Sequence, residues 1–282
     1  MPSKSRFVAL LAAVVTVSSV ATPKVAEAQY VPYGTDSTRR LVTGGLVAST
    51  LLLRQFVFAP SEVGPADFDQ SFEGPGFDAI ATTQYSPTWQ AWTDRLLYGL
   101  MASAIGAAVV PGLSNRIDFT DALAMYGEVT LLTLGTTEVL KRAVARHRPY
   151  TYNTELDDAA IAAMVGPDSA DARASFPSGH SSMAFASATF TASVLTNTYN
   201  WSSAVDAGVW TVTLGAATAT AIGRVQAGKH FPSDVVVGAL LGSAVGLLVP
   251  SCHEFGTGFC DLQRMQEGAA STQVAWLSIP IG

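Results

Sequence analysis

The chain has 282 residues, enough for one large domain or two small ones. Hydrophobic residues make up 49% and charged residues only 13%, which excludes an intrinsically disordered chain and favours one that is mostly buried or membrane-embedded. A net charge of −6 without any basic run argues against a nucleic-acid partner.

Residues 1–28 read as a signal peptide or an N-terminal anchor. Lys4 and Arg6 form a basic start, residues 7–21 an apolar run, and Ala26-Glu27-Ala28 fits the small-x-small cleavage rule with Gln29 as the new N-terminus. Cleavage is the preferred reading. Either way the chain enters an export pathway, so a periplasmic, membrane-associated location is expected.

Residues 29–94 read as a leader, a short apolar helix over 41–53 and a long loop. The stretch 58–94 holds four Pro, three Gly and many acids, and is predicted to be an ordered loop or interfacial segment. From 95 to 250 the pattern is helix after helix, with apolar stretches at 97–113, 122–140, 181–199, 207–222 and 235–250. Asp118 to Asp121 are placed to cap a helix over 121–146. Most of these stretches fall short of the roughly 20 apolar residues that a spanning helix needs. Their small residues suit close packing in a membrane and in the buried helices of a soluble bundle alike. The predicted fold is all-α, a helical bundle of about five or six helices. Residues 251–282 read as a C-terminal tail, with Cys252 and Cys260 placed for a small disulfide loop in an exported protein and a short strand in "TQVAWLSI".

The basic residues are unevenly placed. After the N-terminal segment, Lys141 and Lys229 are the only lysines, and Arg142, Arg146, Arg148, Arg173 and Arg224 lie between them. That placement suggests a site for a small anion. Three stretches carry it. In "KRAVARHRPY", Lys141 and Arg148 are seven apart, which on a continuous helix puts both on one face about two turns apart. In "FPSGHSSMAF", Ser178 is placed as an N-cap, His180 lies in the first helical turn, and a helix start is a ready anion site. In "GRVQAGKHFPSD", Arg224 ends one apolar helix, and Asp234 stands one turn after His230, within reach of an imidazole nitrogen. Taken singly, each stretch also reads as an ordinary helix terminus.

Together they resemble the type 2 phosphatidic acid phosphatase (PAP2)/vanadium haloperoxidase superfamily. Lys141-x6-Arg148-Pro149, Pro177-Ser178-Gly179-His180 and Arg224-x5-His230-x3-Asp234 match that family's pattern in order and spacing. Gly223 departs from it, standing where the family usually has Ser. The resemblance covers about residues 95–250 and implies a phosphatase domain there. It implies His230 as a nucleophile that forms a phosphohistidine, Asp234 as its support, and His180 as the group that protonates the leaving oxygen and activates water. Lys141, Arg148, Ser178, Gly179 and Arg224 would bind phosphate. No metal is implied and no cofactor, although vanadate could bind the phosphate site.

The expected activity is an exported acid or lipid phosphatase acting on phosphomonoesters, with phosphatidic acid-like lipids or polyprenyl pyrophosphate as substrates. The alternatives are a vanadium-dependent haloperoxidase and a non-catalytic membrane or binding protein on the same fold. If every apolar stretch after a cleaved signal crossed a membrane, Lys141 to Arg148 would lie in the cytoplasm. The membrane-bound relatives have the opposite side, so 41–53 is expected to rest on the bundle or at the interface.

Overall fold

The computed structural model describes residues 71–114, 116–157 and 169–254, together with Tyr33, residues 159–160 and parts of 44–53. The expected signal, cleavage site and C-terminal strand lie outside the described residues. Among the described residues five long helices form: α1 (Pro87–Leu113), α2 (Phe119–Val144), α3 (Gly179–Thr198), α4 (Ser203–Gln226) and α5 (Pro232–His253). Short 3-10 turns occur at Ala79–Thr83, Pro149–Tyr152 and Ser169–Arg173. Among the described residues there is no strand, only one isolated antiparallel bridge between Tyr33 and Glu254. The fold is all-α.

Local chemistry sets the helix ends. The Ser86 hydroxyl accepts from the Trp89 N–H and Pro87 takes the first helical position, where its missing N–H leaves no gap. Residues 87–94, expected in the long loop, are therefore the first two turns of α1, and the expected domain start at residue 95 cuts through a helix. Asp118 Oδ1 accepts from the N–H groups of Thr120 and Asp121 at 2.9 and 3.1 Å, which starts α2 two residues before the expected position. Ala145, with φ 48, ends α2 in the left-handed conformation. Arg148 is therefore not on the helix, as the seven-residue spacing suggested, but on the extended segment before Pro149. Ser178 caps α3 as expected, accepting from the Ser181 N–H. At α5, Pro232 takes the first position and the Asp234 carboxylate reaches back to the Phe231 N–H at 2.9 Å.

α3 is the central helix and touches each of the other four. It is built mostly from Ser, Ala and Thr, and nearly every residue from Ser181 to Val194 is buried. Several of its hydroxyls donate within the helix, as in Thr191 Oγ1 to the Ser187 carbonyl at 2.7 Å, while Ser181 Oγ donates to the Val235 carbonyl on α5. α5 lays Gly238, Gly242 and Gly246 against it. A Cβ at Gly242 would stand 2.0 Å from the Ser182 carbonyl oxygen, so only glycine allows this approach.

Two apolar clusters fill the bundle. One lies around Phe185, Leu214 and Phe231, the other around Met125, Phe190 and Val249. Beyond them the outer faces stay apolar, with Tyr98, Leu113, Leu131, Val212 and Leu248 exposed. α1, α4 and α5 are long and apolar enough to cross a membrane. Cys252, in the last turn of α5, is disulfide-bonded, and the chain's other cysteine, Cys260, lies outside the described residues.

The antiparallel order brings the end of α2, the start of α3, the end of α4 and the start of α5 to one end of the bundle. All the motif residues are on those termini or the turns beside them.

Candidate active site

His230 lies on the turn between α4 and α5 and is 1% exposed. Its Nδ1 is 2.8 Å from the Ser175 carbonyl oxygen. A carbonyl can only accept, so Nδ1 carries the proton and Nε2 keeps its lone pair. Arg148 Nη1 stands 3.2 Å from that Nε2. Burial, followed by the charges of Arg148, Arg224, Lys141 and His180, holds the His230 imidazole well below its usual range and therefore neutral. Those four groups come from three helix ends and a loop, and Arg148 is the one in contact with Nε2.

Asp234 is fully buried, but its nearest approach to His230 Nδ1 is 3.7 Å, too long for a hydrogen bond. Its Oδ2 accepts instead from Ser175 Oγ at 2.5 Å and the Phe231 N–H at 2.9 Å. The carboxylate thus holds both the residue whose carbonyl orients His230 and the start of the helix behind it. Arg146 Nη1 donates to Asp234 Oδ1 at 2.6 Å while its Nη2 donates to Asp78 Oδ2 at 2.8 Å, and its guanidinium lies over the Phe231 ring. Asp78 also accepts from Ser233 N–H and hydroxyl. The loop before α1 is thereby tied to the His230 turn.

Arg148 is 5% exposed and held at three further points: Nε donates to the Asp171 carbonyl at 2.9 Å, Nη2 to Asp171 Oδ1 at 2.6 Å, and Nη1 to the Lys229 carbonyl at 3.0 Å. Arg224 is equally buried. Its Nη1 is 3.4 Å from Thr93 Oγ1 and 3.8 Å from Asp94 Oδ1, and its buried Nε has no partner among the described residues. Lys141 reaches over the start of α3, where a Cβ on Gly179 would meet Nζ at 3.5 Å. There the helix geometry leaves the Gly179 and His180 N–H groups without intrahelical partners. Ser178 is buried and its side chain caps α3. Three cations, a helix start and an unpartnered guanidinium N–H are a donor set for a tetrahedral oxyanion.

His180 Nε2 is bound to Asp94 Oδ1 at 2.7 Å, so Nε2 carries a proton and Nδ1 is left for chemistry. Burial, with the Arg224 charge next and Asp94 opposing, lowers its pKa to about 4.

The sequence-predicted residues are thus gathered at one end of the bundle. Asp94, Thr93, Ser175 and Asp78 were not foreseen, and Arg146, counted among the clustered cations, was given no role of its own. Ser175 acts through its backbone, which leaves no mark in a sequence. Asp94 had a faint signal, a lone acid in the aromatic stretch "TWQAWTD", about 86 residues from its partner. The Gly223 departure has a steric account: a Cβ there would stand 2.4 Å from Thr93 Cγ2. Thr93 fills the space of the missing side chain, and its hydroxyl faces Arg224.

A family model described as PAP2 superfamily matches residues 122–257. That segment belongs to the PAP2 superfamily. It contains Lys141, Arg148, Ser178, Gly179, His180, Arg224, His230 and Asp234. The PAP2 segment begins after α1, so Asp78, Thr93 and Asp94 reach the site from outside it. No curated protein and no solved structure matches the chain. Members of the PAP2 superfamily are generally phosphatases, which supports a hydrolase role.

Proposed function

We propose that this protein is an exported, metal-independent phosphatase that hydrolyses phosphomonoesters through a phosphohistidine on His230. Phosphatidic acid-like lipids or polyprenyl pyrophosphate are the substrate class. The observation that carries this reading is the Ser175 carbonyl on His230 Nδ1, which leaves the Nε2 lone pair facing the cations.

The steps follow from that arrangement. Arg148, Arg224, Lys141 and the start of α3 hold the equatorial oxygens, which is where phosphoryl transfer needs charge. Nε2 of His230 attacks phosphorus; a P–N bond forms as the P–O bond to the leaving group breaks. His180 gives a proton to the leaving oxygen from Nδ1, with Asp94 stabilising the imidazolium. Neutral again, His180 takes a proton from water, which attacks the phosphohistidine and releases phosphate. The bound dianion offsets the Arg224 and Arg148 charges that lower the His180 pKa, so the acid form becomes available once substrate is present. Proton transfer of this kind contributes roughly 10²- to 10⁴-fold in rate.

The apolar outer faces and the three long apolar helices support a membrane-associated enzyme. A site outside the cytoplasm is part of the proposal and rests on the expected export signal alone. The test is phosphate release from p-nitrophenyl phosphate and phosphatidic acid by the purified protein beside His230→Ala. Release by the wild type alone supports the reading. Bromide oxidation after vanadate addition, without phosphate release, would replace it with the haloperoxidase reading. Neither activity would favour a binding protein.

A further inference from the structure

The segment before α1 crosses the turn that carries His230 at three points. The Phe72 ring stacks on Phe231, with centroids 5.1 Å apart. Asp78 holds Ser233: Oδ1 accepts from its N–H at 2.9 Å and Oδ2 from its hydroxyl at 2.6 Å. The Gln84 carbonyl lies against Gly228, where φ is 69 and a Cβ would collide with it. The whole segment precedes residues 122–257, the part that matches the PAP2 superfamily.

Asp78 is more than an anchor. It is 1% exposed, and its Oδ2 also accepts from Arg146 Nη2 at 2.8 Å. Arg146 Nη1 donates to Asp234 Oδ1 at 2.6 Å and to Ser233 Oγ at 2.7 Å. One guanidinium thus stands between two buried carboxylates. Paired with Arg146 alone, Asp234 would be neutralised. Shared with Asp78, the same cation leaves a net negative charge, and Asp234 Oδ2 is 3.7 Å from His230 Nδ1. Arg146 also reaches His230 through the backbone. Its carbonyl accepts from the Ser175 N–H at 3.0 Å, and the Ser175 carbonyl accepts from His230 Nδ1.

We propose that Asp78 is a positioning residue for His230. It divides the Arg146 guanidinium between two carboxylates. That fixes the Nδ1–H tautomer and keeps negative charge behind the ring, where positive charge develops as Nε2 takes a phosphoryl group. This rests on His230 as the phosphoryl acceptor. The PAP2 segment is then incomplete by itself, because a carboxylate that precedes it sets its nucleophile.

The test is Asp78→Asn in the detergent-solubilised full chain, which keeps an oxygen for the Ser233 N–H and removes the charge. Nitrogen-15 spectra of histidine-labelled protein report the tautomer, with only four imidazoles in the chain and the His230 signals assigned by their loss in His230→Gln. The wild type holds His230 as Nδ1–H, and Asp78→Asn shows a mixture of tautomers. With p-nitrophenyl phosphate, kcat falls about tenfold or more and KM changes less than about threefold, since Lys141, Arg148 and Arg224 are untouched. Ser233→Ala removes the direct anchor and leaves the guanidinium shared, so it keeps the wild-type tautomer and most of kcat. In a double-mutant cycle, Asp78→Asn adds little to the loss caused by Arg146→Gln, because it acts through that guanidinium. An unchanged tautomer in Asp78→Asn overturns the proposal. So does an equal loss of kcat in Asp78→Asn and Ser233→Ala, which would make Asp78 an anchor only. The spectra do not depend on turnover. A tautomer that shifts in Asp78→Asn, in a protein whose wild type releases no phosphate, would sink the phosphatase reading and leave the positioning of His230 standing.

Discussion

His180 and His230 are both held neutral, and both should make stability depend on pH. Each has a folded pKa below the ordinary 6.5, to about 4 for His180 and well below 6.5 for His230. Between those values and 6.5 the unfolded chain binds more protons than the folded one, so stability rises with pH across that window. The contribution is fully present above 6.5 and is lost as pH falls towards 4. A thermal midpoint that is flat above pH 7 and drops between 6.5 and 4 is expected, with a shallower drop in His180→Gln. At the same scale, Asp94→Asn keeps the hydrogen-bond shape but removes the charge that stabilises the His180 imidazolium. A loss of about tenfold or more in kcat, with a smaller change in KM, is expected from steady-state kinetics. The motif side chains were legible because order and spacing along the chain mark them. The Ser175 carbonyl and the distant Asp94 were not, since one is backbone and the other joins the site only through the packing of α1 against α3.

The helices themselves were legible from apolar runs and caps, and their ends less so. The Ser86-Pro87 start of α1 lay within a stretch whose Pro and Gly content reads as loop. The end of α2 depends on Ala145 adopting a left-handed conformation that no residue type announces. Close approach between helices is equally hidden in the sequence, yet it yields sharp expectations. Gly242→Ala places a Cβ 2.0 Å from the Ser182 carbonyl, and should destabilise by about 1–3 kcal/mol in denaturant titration. Gly223→Ser should be disruptive because Thr93 Cγ2 would be 2.4 Å away, although Ser is what the family usually carries there. Adding Thr93→Ala makes room, so the double variant should regain stability and phosphate affinity that the single variant loses. A double variant no better than the single one would show that Thr93 does not fill the place of the missing side chain.

At the scale of the molecule, α3 carries hydroxyls inside a shell of four helices whose outer faces are apolar. That inversion of the usual soluble pattern, together with α1, α4 and α5, predicts that the protein partitions into the detergent phase in Triton X-114 separation. Recovery in the aqueous phase would point to a soluble bundle. The antiparallel order, with alternate helix ends meeting at one pole, was only partly legible. Short joints imply antiparallel neighbours, whereas the extended segment that carries Arg148 back towards His230 follows from α2 stopping early. The expectation that 41–53 rests on the bundle stays a proposal, and its described residues are helical and mostly exposed.

The central claim is that His230 Nε2 becomes the phosphorylated atom. Rapid acid-free quenching after mixing with a ³²P-labelled phosphomonoester, followed by peptide mapping, tests it most directly. The account predicts an acid-labile, base-stable label on His230 that is absent in His230→Gln; with p-nitrophenyl phosphate, whose leaving group needs no proton from His180, the label also accumulates in His180→Gln, which activates water poorly. Label on another residue, or undiminished phosphate release by His230→Gln, would contradict it.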